Sequence, residues 1–201
     1  MVQHPTPFPL TLTLGPYPED RFDYMILTET KLQGCFIIEP ERFADDRGFF
    51  GRAWSESEFA SLGSSVHFVE ANISFNRKKN TLRGLHYQGH PNEQGKLVRC
   101  TRGAIYDVAL DIRRDSATYK QWVGVELTQE NRFMLFVPAG LAHGFQTLVD
   151  DSEVYYEVTN TYAPANSFGV RWNDPAFNIE WPHATERIII PRDRDYPDFR
   201  D

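Results

Sequence analysis

Short runs in which apolar and polar positions alternate, or in which β-branched and aromatic residues follow one another, recur along the chain between Gly, Pro and Asn breaks. They read GCFIIEP (34–40), VHFVEANISF (66–75), KLVRCTRGAIYDVALDI (96–112), WVGVEL (122–127), RFMLFVPAG (132–140), HGFQTLV (143–149) and SEVYYEVTNTY (152–162). Runs of this length and spacing predict antiparallel strands of a sandwich or barrel. Gly103 inside CTRGAIY predicts a tight hairpin, and TQENRF (128–133) a second turn. One stretch carries helix signals: SESEFASLG (55–63) offers a serine N-cap, early glutamates and a closing glycine. Residues 1–28, rich in Pro, Thr and acidic side chains, show weak periodicity and read as an N-terminal extension or arm. With no repeat or low-complexity tract after it, 29–201 reads as one all-β domain, a jelly-roll sandwich or barrel of antiparallel strands with a few short helices.

Composition sharpens this picture. A chain of 201 residues is long enough to bury a core without disulfide or metal staples, and 13 Gly, 13 Pro and many aromatics suit strands joined by turns. No apolar run reaches the roughly 18 residues a membrane helix needs, and the N-terminus lacks the basic start of a secretory signal. The expectation is a soluble cytoplasmic protein with no membrane partner, in which Cys35 and Cys100 are reduced, small buried residues. With 28 acidic against 21 basic residues the net charge is −7, which gives nucleic-acid binding no support. Basic residues nevertheless crowd 77–102, which reads either as a focused site for an anionic small molecule or as a solvated strand face.

The stretch TLRGLHYQGHPNEQGKLVRC (81–100) gathers charge where a purely structural strand would not, because a buried charge costs free energy unless it is paired. It reads as the wall of a polar pocket. Strict alternation puts Arg83, Leu85 and Tyr87 on one face and Gly84, His86 and Gln88 on the other. A lone strand histidine is readily explained as packed or surface. Lys96, Asp107, His143 and Tyr156, however, hold comparable positions on other expected strands, and a barrel can aim them all at one cavity. His86, His90 and Glu93 lie close in sequence, but GHPN between them reads as a loop and their spacing fits no usual zinc pair, so no metal is expected.

The ordered set DDRGFF (45–50), TLRGLHYQ with GKLVRC, AIYDVALDIRRDS, VPAGLAHGF, YYEVTNTYAP, RWNDP with IEWP, and a closing PRDRDYP resembles the dTDP-4-dehydrorhamnose 3,5-epimerase family over about Glu29–Phe199. These are cofactor-free, cupin-like jelly rolls. The resemblance implies inversion of C3 and C5 in a nucleotide-linked 4-keto-6-deoxyhexose, dTDP-4-dehydro-6-deoxyglucose giving dTDP-4-dehydrorhamnose. It implies His86 as base, Asp193 as its orienting partner, Tyr156 as acid, Lys96 beside the 4-keto oxygen, and Asp107 tuning Lys96. On the substrate side it implies Arg47, Phe50, Arg83 and His143 as contacts, Asn72 at the nucleotide, and Tyr162 stacked on the base. Each has a plainer reading from pattern alone: Asp193 as a solvated acid in a charged tract, Lys96 as a strand-edge lysine, Arg47 as a turn residue before Gly48.

The chain departs from the family pattern at Arg52 and Ser167, where Glu is usual, at Glu70 in place of Gln, and at Arg192 in place of Lys. Relative to that pattern, one residue is also inserted within ISFNRKKNT. All of these touch the nucleotide end. The proton-transfer set is intact, so the departures bear on which base is bound rather than on the reaction. A single-centre epimerase, a metal-dependent cupin and a non-catalytic sugar-nucleotide binder are the alternatives. Relatives pair through their sheets, so the resemblance also implies a homodimer.

Overall fold

The computed structural model describes residues 13–14, 25–60 and 66–200. Its strands are β1 (Thr13–Leu14), β2 (Met25–Glu29), β3 (Phe36–Pro40), β4 (Phe43–Asp45), β5 (Gly48–Phe50), β6 (Glu70–Asn76), β7 (Leu82–Gln88), β8 (Lys96–Arg102), β9 (Ala104–Asp111), β10 (Trp122–Thr128), β11 (Met134–Val137), β12 (Leu141–Thr147), β13 (Ser152–Val158) and β14 (Ser167–Gly169). Two short helices, α1 (Glu56–Ala60) and α2 (Pro191–Arg194), accompany them. The all-β, largely antiparallel jelly roll expected from the alternation is what forms.

Two sheets face each other, a six-stranded one ordered β2-β3-β11-β8-β13-β6 and a five-stranded one ordered β10-β9-β12-β7-β14. Successive strands repeatedly change sheet: β7 lies in the five-stranded sheet, β8 in the six-stranded sheet and β9 in the five-stranded sheet again. Two sequence expectations are corrected by this. CTRGAIY is not a paired hairpin but a corner between sheets, turned at Gly103 with φ +75°. A Cβ there would meet Ser152 Oγ at 2.6 Å, so a residue without a side chain is required. The stretch 81–100 likewise divides between two opposed walls.

The inward positions of both sheets form the main core: Val98, Cys100, Ile105, Ala109, Val123, Val125, Leu127, Leu135, Val137, Leu141, Phe145 and Val154. Both cysteines are buried and free. Outside the six-stranded sheet, Met25, Ile38, Leu97, Met134 and Phe136 pack under Phe59 of α1 and Val66. Helix α1 occupies the start of the expected 55–63 stretch, whose remainder beyond 60 lies outside the described residues. Outside the five-stranded sheet, Tyr106, Val108, Leu110 and Trp122 are covered by Val170, Phe177, Ile179, Trp181 and Phe199 of the C-terminal segment. Of the stretch read as an arm, 1–28, Thr13–Leu14 pair with β4 and Met25–Thr28 are part of β2 within the six-stranded sheet; the rest lies outside the described residues.

Candidate active site

At one end of the inter-sheet space the inward positions turn from apolar to polar, leaving a cavity of about 200 Å³ lined by Ser74, Arg83, His86, Lys96, His143, Gly144, Phe145 and Tyr156. His86, Arg83 and His143 come from the five-stranded sheet, and Ser74, Lys96 and Tyr156 from the six-stranded one. A second lobe of about 170 Å³ shares His86, Lys96 and Tyr156 and is closed by Tyr87, Gln88, Gln94, Tyr162, Ser167 and Arg192. A larger open hollow of about 910 Å³, around Phe36, Val66, Phe136 and Arg113, shares none of these residues.

Strict alternation fails at the point that matters most. Arg83 and His86 line the same cavity rather than opposite faces, because β7 carries a bulge. His86 pairs with His143 and Arg83 with Phe145, so three steps along β7 are matched by two along β12. Gly84, with φ +119°, lies where the strands nearly touch: a Cβ there would meet Gly144 Cα at 2.6 Å and His143 O at 2.8 Å. Only glycines permit that approach.

On the other edge of β7, β14 pairs with His86–Gln88, and the C-terminal segment continues along the rest of that edge. Val170 exchanges backbone hydrogen bonds with Leu85, and Leu82 N–H donates to Ile188 O at 2.9 Å. Between those contacts Gly84 N–H donates to Asp193 Oδ2 at 3.0 Å, while Asp193 Oδ1 meets His86 Nε2 at 2.8 Å. Asp193 is 1% exposed. Burial alone opposes its ionisation, but the hydrogen bonds from His86 and Gly84 outweigh that and hold its carboxyl below the usual range. An ionised Asp193 accepts the Nε2–H of His86, and the tautomer this selects carries its lone pair on Nδ1.

A second carboxylate–imidazole pair lies deeper. His143 Nε2 meets Asp107 Oδ1 at 2.8 Å, both side chains being buried. Burial lowers the His143 pKa despite the neighbouring Asp107. Among the described residues nothing hydrogen-bonds Asp107 Oδ2. Lys96 feels that charge, yet its burial dominates and pulls its pKa down to about 8. Burial raises the Tyr156 phenol, only partly offset by Arg83, so it stays protonated at neutral pH. Arg83 is held by Asn76, whose Oδ1 accepts Nε at 2.7 Å. Tyr155 points to the opposite face, bonding Glu157 Oε1 at 3.1 Å, as the alternation required.

The expected residues therefore fall into two groups. Arg83, His86, Lys96, His143, Tyr156, Tyr162, Ser167 and Arg192 line the two lobes, with Asp107 and Asp193 behind them. Arg47 and Phe50 are instead exposed on the β4–β5 hairpin, where Arg47 pairs with Asp45. Arg52 pairs with Glu58 of α1 at 3.2 Å. Glu70 borders a separate hollow with Trp54 and Glu157, and Asn72 stands opposite Tyr156 on the edge strand β6. Ser74, Asn76 and Tyr196 were not singled out in the sequence. Ser74 and Asn76 share an inward period-two phase with Asn72; Tyr196 lies within PRDRDYP, where the letters give it no role of its own. His90 bonds Glu93 at 3.3 Å and stands apart from the dyad, and among the described residues no three metal-ligating side chains gather.

Comparison with known proteins gives this geometry a context. A family model described as dTDP-4-dehydrorhamnose 3,5-epimerase matches residues 29–201. The dTDP-4-dehydrorhamnose 3,5-epimerase of Salmonella typhimurium is 48% identical over 174 residues, covering 86% of this chain and 94% of that protein. The crystal structure of the dTDP-4-dehydrorhamnose 3,5-epimerase from Bacillus anthracis, with TDP and PPi bound, superposes with a TM-score of 0.83 at 42% identity, over 87% of this chain and 99% of that one. A dTDP-6-deoxy-D-glucose-3,5-epimerase from Legionella pneumophila, in complex with dTDP-4-keto-L-rhamnose, gives a TM-score of 0.79 at 39% identity, over 84% of this chain and 89% of that one.

Proposed function

The chain belongs to the dTDP-4-dehydrorhamnose 3,5-epimerase family, and from that premise we propose that it inverts C3 and C5 of dTDP-4-dehydro-6-deoxyglucose through enolate intermediates, with His86 and Tyr156 as base and acid. The observation that carries the assignment of roles is their arrangement. His86, backed by Asp193 of α2, stands on one sheet and Tyr156 with Lys96 on the other, around one cavity.

Epimerisation next to a ketone needs that arrangement. The 4-keto group acidifies the hydrogens on C3 and C5; a base removes one from one face of the ring and an acid returns a proton to the other, while a cation steadies the enolate oxygen. His86, with its second nitrogen on the Asp193 carboxylate, supplies the base. Tyr156, kept protonated by burial, supplies the acid. Lys96 supplies the cation at the keto oxygen, and Asp107 sustains its charge against burial. No electron leaves the sugar, so the chemistry asks for no redox cofactor. The sugar fits the inner lobe, with Arg83 at its diphosphate and Tyr162, Ser167 and Arg192 along the nucleoside.

We extend the proposal to a cytoplasmic homodimer. Among the described residues no helix is long and apolar enough to cross a membrane, and both cysteines are free thiols. The edge strand β6 leaves Ile73 68% and Phe75 43% exposed, apolar surface that a second copy would cover. In that dimer Arg47, Phe50, Arg52, Glu70 and Asn72, which lie outside the cavity lining of one chain, would gather at the nucleotide end.

Incubation with dTDP-4-dehydro-6-deoxyglucose in deuterium oxide, followed by mass spectrometry, tests the function. Two deuterons gained with wild type and none with His86→Ala are expected. One deuteron would mean a single-centre enzyme, and none would overturn the proposal.

A further inference from the structure

We propose that Tyr196 is a positioning residue of this site, holding Arg192 ready in the outer lobe and bracing the His86 ring. The inference rests on the epimerase reading above and adds a side chain that reading does not use.

Three observations converge on this phenol. Its oxygen accepts Arg192 Nε at 3.0 Å, while Ser167 Oγ accepts Arg192 Nη2 at 3.2 Å. Its ring meets the His86 imidazole edge to face, with centroids 6.5 Å apart and planes at 72°. It also lies against the backbone of Gly169, where a Cβ would come within 2.3 Å of the Tyr196 ring. Gly169 is itself the residue opposite His86 in the β14–β7 pairing. One ring thus touches both the β14 backbone and the imidazole, with its hydroxyl directed at the guanidinium.

The chemistry of the clamp suits a substrate with a nucleoside diphosphate. Arg192 is exposed, its hydrogen-bond partners Tyr196, Ser167 and Tyr162 are hydroxyls, and among the described residues no carboxylate forms an ion pair with it, although Asp193 lies near enough to feel its charge. A long side chain that must be ordered on binding lowers affinity by about twofold to tenfold. Tyr196 and Ser167 order it beforehand while leaving the charge for the ligand. Because Arg192 and Asp193 are neighbours on α2, the same ring also ties the carboxylate that orients His86 to β14.

Calorimetric titration with dTDP, run beside kcat and KM, tests this on wild type, Tyr196→Phe, Arg192→Ala and the double variant. Tyr196→Phe keeps the ring and loses the hydroxyl; the expected result is dTDP binding weakened about threefold to tenfold, and KM raised by a larger factor than kcat falls. In the Arg192→Ala background the same change should add nothing, because the two act as one unit. Tyr196→Ala should lower kcat about tenfold below Tyr196→Phe, through the loosened imidazole. Arg192→Gln replaces Arg192→Ala should the latter unfold. Equal dTDP affinity in Tyr196→Phe and wild type, or an equal loss in both backgrounds, overturns the inference while leaving the epimerase reading standing. A wild type that neither binds dTDP nor exchanges protons overturns both.

Discussion

Asp193 accepts the backbone N–H of Gly84 at 3.0 Å, and that single bond fixes the carboxylate where it can serve His86 two residues further on. Replacement of Asp193 by Asn keeps the size of the side chain but puts an amide opposite Nε2. An amide N–H facing that nitrogen favours the tautomer protonated on Nδ1, which removes the lone pair from the reacting side. Solvent deuterium exchange at C3 and C5 should fall roughly a hundredfold to ten-thousandfold in Asp193→Asn, with the melting temperature little changed. Exchange at the wild-type rate would show that the carboxylate is not needed to orient the base.

Tyr156→Phe separates the two proton transfers. The base remains, so abstraction and its reversal on the His86 side continue, and deuterium washes into recovered substrate. Delivery from the Tyr156 side stops, so inverted product should fall roughly a hundredfold or more relative to wash-in. Nuclear magnetic resonance of the sugar protons distinguishes the two. Equal losses of wash-in and inversion would place Tyr156 outside the proton path.

Lys96 makes activity and stability respond to alkali in opposite senses. Burial lowers its pKa from 10.5 to about 8, so the cation at the keto oxygen is lost as pH rises through about 8, and kcat should decline there. The unfolded chain keeps that proton up to its higher pKa. Between the two values the unfolded state therefore binds more protons, and the Lys96 contribution to stability rises with pH across the same window. The slower variant Lys96→Met should lose the alkaline decline in kcat. A decline that persists in Lys96→Met belongs to another group.

On the far side of the five-stranded sheet, Tyr106 lies against Gly124, where a Cβ would fall 2.0 Å from the phenol oxygen. That oxygen is buried without a hydrogen-bond partner, beside Trp181. Denaturant unfolding of Gly124→Ala should show a loss of about 1 to 3 kcal/mol from overpacking. Tyr106→Phe, which removes the unbonded hydroxyl, should be neutral or gain about 1 kcal/mol. A clear loss in Tyr106→Phe would mean that the hydroxyl finds a partner in solution.

Much of this was legible in the sequence. Alternation in 122–127, 143–149 and 152–162 located strands of the two sheets, and in the last of them it accounts for Tyr155 and Tyr156 facing opposite ways. The density of charge in 81–100 marked the pocket wall. Period-two reasoning failed at Arg83 and His86, since a bulge resets the phase and nothing in the letters around Gly84 separates a bulge from a plain strand glycine. It also took Gly103 for a hairpin, because a corner between sheets and a hairpin turn both call for a glycine with positive φ. Asp193 and Tyr196 were beyond pattern altogether. Their surroundings are set by the docking of a C-terminal segment with little regular structure, which packs on the five-stranded sheet and joins it only through isolated bonds.

That docking gives the protein an order of events in time. His86 and Asp193 are 107 residues apart in the chain, and the carboxylate reaches the imidazole only after β7, its bulge and the C-terminal segment have come together. A contact of such long range is slow to form compared with the local pairing of neighbouring strands. During refolding, strand content measured by circular dichroism should therefore return ahead of turnover, and the interval between them would clock the seating of the C-terminal segment on β7.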